Sequence, residues 1–345
     1  MSDQQTSSAA PFTLAEALDP AWLTGALASL TGGAPVTGVD VVEVIRTTAT
    51  KVRFKAEWAG GAANLCLKAF LDMEGRRGSS AGVIEADFYM HLADRLDVRV
   101  PACVATVVDR QAEQGIVIMR DLIVAGAKFS TALEPFGADD AAASLDQIAR
   151  LHAGSALLPD SPWIGRRIVD LIGWNVLSAP ALQELLDGPR GKELDARTRN
   201  AERLIAGLKA VAELDGSQPA TLIHGDCHAG NTYRTGDGFG LIDWQMLQRG
   251  GWALDVAYHI CAVLSVEAAE KHEWDLLDHY LGEARRLGVQ VPDREAARAQ
   301  YRAAAVYGYY LWAITRRVDP AITEVFVDRL GKSVARHESF KALGL

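Results

Sequence analysis

The densest pattern in this chain is LIHGDCHAGNTYRTGDGFGLIDWQ, residues 222–245. Thr221–Ile223 is a short apolar strand that runs into a tight polar loop. A second short strand leaves the loop, the Gly236-Asp237-Gly238 turn reverses direction, and an apolar strand ends at Asp243. A hairpin of this kind is expected to gather Asp226, Asn231 and Asp243 at strand ends. Three oxygen ligands or acceptors on rigid supports suit a hard cation and phosphate oxygens. Turn-making alone would not call for three such positions together with His224 and His228.

The spacing carries a resemblance. An Asp five residues before an Asn, followed by a second Asp at a later strand end, is the arrangement of kinase catalytic loops. HGDCHAGN with LIDWQ resembles the aminoglycoside and choline kinase-like phosphotransferases, nearest to their ecdysteroid-kinase-like relatives. That resemblance implies an α+β, protein-kinase-like bilobal fold with a small antiparallel-sheet N-lobe and a larger, mainly helical C-lobe. The divisions it implies are 1–120 for the N-terminal lobe, 121–126 for a hinge, and 127–345 for the C-terminal lobe with the catalytic hairpin at 221–245.

Composition sets the outer limits. At 345 residues the chain is long enough for two lobes with their own cores, and 49% hydrophobic content is ordinary for a globular protein. A net charge of −9 argues against general nucleic-acid binding and is compatible with a cationic substrate. Cys66, Cys103, Cys227 and Cys261 show neither zinc nor disulfide spacing, which fits a reducing cytoplasm. The N-terminus has no secretory pattern, and no apolar run approaches the ~20 residues of a membrane helix. Monomer and homodimer both stay open.

In chain order, Thr13-Leu-Ala-Glu16 reads as a capping box, and Asp19-Pro20 opens a helical stretch to about Leu30, ended by Gly32-Gly33. Val39–Arg46, Lys51–Trp58 and Ala63–Phe70 read as strands of an antiparallel meander. The link Thr47-Thr48-Ala49-Thr50 lies where a nucleotide-covering loop falls in the resembled fold, but it lacks glycine. It reads equally as a phosphate-meeting loop or an ordinary hairpin turn. Lys68 interrupts an apolar strand, where a lysine needs a partner or a function, and is expected to meet nucleotide phosphates. Helix Ser80 to about Leu96 puts Glu85, Phe88, Tyr89 and Leu92 on one face, with Glu85 the expected partner of Lys68 and Glu74 and Asp87 weaker competitors. Val104–Val108 and Gly115–Arg120 complete the sheet. In the resembled enzymes backbone groups near Asp121 and Leu122 bind adenine; Asp121 reads equally as a turn residue.

The remainder reads as helical. Asp139–Leu158 carries His152 as a core histidine, Ser161–Gly188 is turn-rich with Trp163 and Trp174, and Glu193–Leu214 reads as one long amphipathic helix. Asp255, in the first turn of the helix after Gly250-Gly251, suits capping of free amides, and the resemblance makes it the brace of the active-site loops. Cys261 reads as apolar filling. Helices are expected at Val266–Leu287, Asp293–Arg317 and Ala321–His337. Trp244, Gln245, Tyr307 and Trp312 are candidates for a substrate pocket.

The implied activity is transfer of the γ-phosphate of ATP, with Mg2+, to a hydroxyl of a small molecule. Asp226 would orient that hydroxyl, Asn231 and Asp243 would hold metal, Lys68 with Glu85 would steady phosphates, and His224 and His228 would shape the loop. Two rivals are a metal-dependent hydrolase built on His224, Asp226 and His228, and a non-catalytic nucleotide-binding module. Trp244-Gln245 resembles the Asp-aromatic-Gln ending of ecdysteroid-kinase-like proteins, a resemblance that implies a bulky, less polar alcohol, whereas acidic residues from Glu267 to Asp278 keep a polycation in play.

Overall fold

The computed structural model describes residues 9–73, 79–174 and 176–345. The chain divides by packing into two compact units: Met1–Arg95, Val100–Lys128 and Asp243–Gln245 form one, and Leu96–Arg99, Phe129–Ile242 and Met246–Leu345 the other.

The first unit opens with three short helices, α1 (Leu14–Ala17), α2 (Pro20–Ala26) and α3 (Ala28–Thr31). The Thr13–Glu16 capping box closes in both directions, and Asp19 accepts the amides of Ala21 and Trp22 to start α2. Strands β1 (Val36–Arg46), β2 (Thr50–Trp58), β3 (Gly61–Ala69), β4 (Cys103–Asp109) and β5 (Gln114–Arg120) pair antiparallel in the order β1-β2-β3-β5-β4. Alternation on β2 and β3 sends Phe54, Leu65 and Leu67 inward to meet Ile116, Ile118, Leu23 and Leu27. Each such side chain contributes about 1.5–3 kcal/mol by burial.

Helix α4 (Ser80–His91) crosses β5 with unusual intimacy. A Cβ at Gly115 would overlap the backbone of Gly82, so a glycine on the strand lets the helix sit almost on the sheet. This approach drives Glu85 into the interior beside Phe88 and Tyr89. The helix ends at His91, with a 3-10 turn at Ala93–Arg95.

Strand β6 (Lys128–Phe129) lies where the chain passes into the second unit. Its helices are α5 (Ala138–Ala153), α6 (Arg167–Gly173), α7 (Ala179–Asp187) and α8 (Ala201–Gly216), then α9 (Trp252–Val263), α10 (Val266–Arg286), α11 (Arg294–Ala313), α12 (Pro320–Arg336) and α13 (Ser339–Ala342). Strands β7 (Thr221–Ile223), β8 (Thr232–Thr235), β9 (Gly238–Leu241) and β10 (Gln248–Gly250) carry the loops of interest, with β8 and β9 forming the expected hairpin. Every residue of α9 is buried, and α9 packs on α11. None of the described helices is long and apolar enough to cross a membrane.

One element departs from its pattern. The sequence predicts one helix over Glu193–Leu214, but α8 begins at Ala201. Asn200 accepts the Arg203 amide, and Asp195 folds the preceding residues into a turn by accepting the amides of Arg197 and Thr198. Short polar side chains bonding to nearby backbone outcompete helix continuation.

Candidate active site

In the first unit, Lys68 lies on β3 with its ammonium 2.7 Å from Glu85 Oε2 and 2.9 Å from Asp243 Oδ1. Lys68 is 4% exposed. Burial by itself disfavours the ammonium, but Asp243 and Glu85 hold it above its ordinary pKa. Burial also lifts the Glu85 carboxyl, and Lys68 opposes that lift. Glu85 Oε1 also accepts the Trp244 amide at 3.3 Å, so one helix carboxylate fixes both the lysine and the residue after Asp243. Asp243 adopts φ +68°, a left-handed conformation uncommon outside glycine and asparagine. Backbone strain of this kind clusters at functional sites.

Several expectations for this unit find definite places. Asp87 is bidentate to Arg110 at 2.8 Å on both oxygens, which leaves Lys68 to Glu85; Glu74 lies outside the described residues. Thr47 closes its own turn, its amide and hydroxyl both donating to the Ala49 carbonyl at 3.1 Å, while Thr48 is exposed and Thr50 is buried in β2. Asp121 acts as a turn residue, accepting the Ile123 amide at 2.9 Å and pairing with Arg53 at 2.9 Å. The Leu122 carbonyl accepts the Ala127 amide at 2.9 Å. Trp244 is corrected: it is fully buried, stacked on Phe88 with ring centroids 3.8 Å apart, and so packs the core instead of walling a pocket. Gln245 is half-buried.

In the second unit the loop after β7 is built around Asp226. Asn231 Nδ2 donates to the Asp226 carbonyl at 2.8 Å and to its Oδ2 at 3.1 Å. Tyr258 on α9 donates its hydroxyl to Oδ1 at 2.8 Å, and that hydroxyl accepts from Trp312 Nε1 on α11 at 2.6 Å. Burial, and the adjacent Asp226 charge, push the Tyr258 hydroxyl far above its ordinary pKa, so it remains a donor. The carboxylate is thus aimed by neutral donors on both oxygens.

Asp255 supports the loop from below. Its oxygens accept the amides of His224 (2.7 Å) and Gly225 (2.8 Å), and His152 Nε2 lies 3.2 Å away. Burial alone would raise this carboxyl; the His152 hydrogen bond, nearby imidazoles and the Gly225 amide hold it below the usual value. Asp255 therefore braces the loop after β7, whereas its own helix has no side-chain cap. Gly225 has φ +82°, and a Cβ there would strike the Met246 carbonyl. Tyr307 donates to the Gly225 carbonyl at 2.7 Å.

The histidines are occupied by shaping work. His224 Nδ1 accepts the Asp226 amide at 3.2 Å, so its Nε2 carries the proton donated to the Ile242 carbonyl at 2.9 Å. The Ile242 amide in turn donates to the Asn231 carbonyl at 3.0 Å, pinning the residue that precedes Asp243 in the chain. His228 accepts the Gly230 amide at 3.1 Å and packs edge-on against Trp312 and Phe326. His224, Asp226 and His228 accordingly do not converge as metal ligands, which removes the structural basis of the hydrolase alternative. Among the described residues the one convergent trio of metal-type donors is Cys261, Glu273 and His337, all buried. There Glu273 Oε2 already takes Arg336 at 2.7 Å and His337 at 3.0 Å. Cys261, expected as apolar filling, lies 3.3 Å from the Tyr301 hydroxyl at the edge of this cluster.

Tyr307 and Trp312 are buried supports of the loop. Tyr258 and Asp226's tie to it are absent from the sequence reading, because a helix buried on all sides shows no periodic face.

A profile of the phosphotransferase enzyme family matches residues 83–299, more than half of the chain. The chain belongs to this family. Its phosphotransferase fold is shared with three solved structures. The microcompartment-associated aminopropanol kinase is 13% identical, with 94% of this chain and 98% of that chain covered and a TM-score of 0.52. The choline kinase of Cryptosporidium parvum Iowa II is 11% identical over 88% and 89% of the two chains, TM-score 0.52. An amicoumacin kinase in complex with AMP-PNP and Ca2+ is 14% identical over 86% and 88%, TM-score 0.52. No curated protein matches the sequence. At these identities the structural likeness establishes the fold alone, a protein-kinase-like one, and the family makes the chain a phosphotransferase.

Proposed function

We propose that this phosphotransferase transfers the γ-phosphoryl group of ATP to a hydroxyl of a small molecule, using Asp226, Asn231, Asp243 and Lys68. The observation that carries the reading is the Asp226 carboxylate, held by Tyr258 and Asn231 yet with 28% of its side chain exposed. A carboxylate so aimed orients an acceptor hydroxyl and takes its proton as the new O–P bond forms and the bond to the ADP oxygen breaks.

Asp226, Asn231 and Asp243 offer hard oxygen donors of the kind magnesium requires, and Asn231's amide nitrogen is spent on Asp226, which leaves its oxygen as the donor atom. When bound, the metal supplies neutralisation of phosphate charge. Lys68, fixed by Glu85, adds a further cation for phosphate oxygens. His224, His228 and Asp255 hold the loop's shape; Thr47, Thr48 and the segment at Asp121 and Leu122 remain candidates for nucleotide contact.

The test is a screen of hydroxylated compounds for stoichiometric ADP release, with the phosphorylated product confirmed by mass. Asp226→Asn should lower turnover about 10²–10⁴-fold while nucleotide binding survives. Unchanged turnover in that variant would refute the assignment, and nucleotide binding with no acceptor-dependent ADP release would favour a binding module.

A further inference from the structure

Lys68 and Arg167 are the two lysine or arginine residues buried among the described residues. Lys68 has two carboxylates. Arg167, the first residue of α6 and 7% exposed, makes no ion pair with any described residue. Its Nη2 reaches the Met246 sulfur at 3.8 Å, its Cζ stands 4.8 Å from the centroid of the Trp174 ring, and its buried Nε has no partner. Three other arginines of this unit are provided for: Arg166 pairs with Asp215, Arg249 donates to the carbonyls of Ile164, Leu158 and Ser161, and Arg329 to those of Ala262 and Ala132, while Arg298, which like Arg167 lies over a tryptophan ring with a buried unpartnered Nε, is only half-buried. Asp170, one turn along α6, forms no ion pair with Arg167, and burial pulls the guanidinium below its ordinary pKa despite it. A buried charge kept without a partner asks for an explanation.

Its place supplies one. Arg167 is tied to the loop of Asp226 by two routes. Met246, which touches the guanidinium, presents its carbonyl where a Gly225 Cβ would stand. The adjacent Ile168 amide donates to Gln248, Gln248 donates to Tyr307 at 3.0 Å, and Tyr307 donates to the Gly225 carbonyl. Trp174 is 53% exposed, so the stacked pair reaches solvent. A guanidinium fork lying on an aromatic face matches the geometry of a carboxylate or phosphate group.

We propose that Arg167 and Trp174 form an anchoring site for an anionic group, carboxylate or phosphate, on the hydroxyl-bearing acceptor. The inference rests on the kinase reading for the word acceptor, and on Arg167 alone for the word anionic. It turns the substrate class away from polyamines, which a bare buried cation repels.

The full chain is titrated with gluconate, glucose phosphate, sorbitol and glucosamine, followed by tryptophan fluorescence. One or both anions should bind saturably and the neutral and cationic compounds should not; gluconate alone identifies a carboxylate site, glucose phosphate alone a phosphate site. Arg167→Gln should weaken anion binding about 10–100-fold without lowering thermal stability, and Arg167→Lys should recover part of it. Failure of both anions to bind, equal binding of sorbitol or glucosamine, or wild-type affinity in Arg167→Gln overturns the proposal. Asp226→Asn should keep anion binding. Anion binding by a protein that phosphorylates nothing would instead overturn the kinase reading and leave the anion site standing.

Discussion

The two buried cations are treated in opposite ways by the two units that hold them. Around Lys68 the first unit assembles Glu85 and Asp243, so the cation is paired by the chain's own carboxylates. Around Arg167 the second unit provides an aromatic ring and a thioether, and leaves the charge whole. The Asp226 carboxylate of that same unit is likewise steadied by a phenol and an amide, with no lysine or arginine in ion-pair contact. Lys68 has ion-pair partners in its own unit, whereas Arg167 has none among the described residues. Stability and activity should therefore separate differently in the two.

The largest contrast should come from Lys68→Met set beside Arg167→Met. The first leaves the buried Glu85 and the half-buried Asp243 without their shared cation and should cost about 3–5 kcal/mol in chemical denaturation, with loss of turnover. The second removes an unmatched buried charge and should leave stability unchanged or raise it by about 1 kcal/mol. Equal destabilisation by both would erase the distinction.

Next comes Tyr258→Phe. Deleting this donor to the Asp226 carboxylate should lower turnover about 10–100-fold with little change in the KM for ATP. Tyr258 is a positioning residue, so the variant should keep the wild-type denaturation midpoint within about 1 kcal/mol while kcat falls.

The smallest effect tests a third buried cation. Burial would push His337 down, but its hydrogen bonds with Cys261 and Glu273 raise it to about 9. Arg336 shares Glu273, and the Tyr301 and Trp274 rings pack alongside. Because the folded value exceeds the ordinary 6.5, this stabilisation is complete below about pH 6.5 and is lost as pH rises through about 9. Denaturation midpoints measured across that window should fall, and His337→Gln should flatten the slope.

What the sequence made legible follows from where periodicity and spacing operate. Lys68 and Glu85 stood out because a charge on an apolar strand and a carboxylate on an apolar helical stripe each break a pattern. Asp226, Asn231 and Asp243 stood out by interval. Tyr258 and Trp312 lie in helices α9 and α11, where α9 is buried on every side, so no residue is marked by its phase. Arg167 opens a short helix in a turn-rich stretch, and nothing local distinguishes a paired arginine from an unpaired one. Trp244 was misread because an aromatic beside a functional Asp looks like a wall, whereas the Glu85 bond to its amide turns the ring inward onto Phe88.

The separate origins of the loop's supports have a consequence for how such a protein diversifies. Asp226 takes a direct hydrogen bond from Tyr258 on α9, itself bonded by Trp312 on α11, while α6 reaches the loop only at one remove, through Met246, Gln248 and Tyr307. On the anion-site proposal, substitutions at the exposed Trp174 should alter acceptor preference while the donors to Asp226 stay in place. Drift in substrate preference would then be channelled into a few surface-proximal positions, with the bonds that hold Asp226 left as they are.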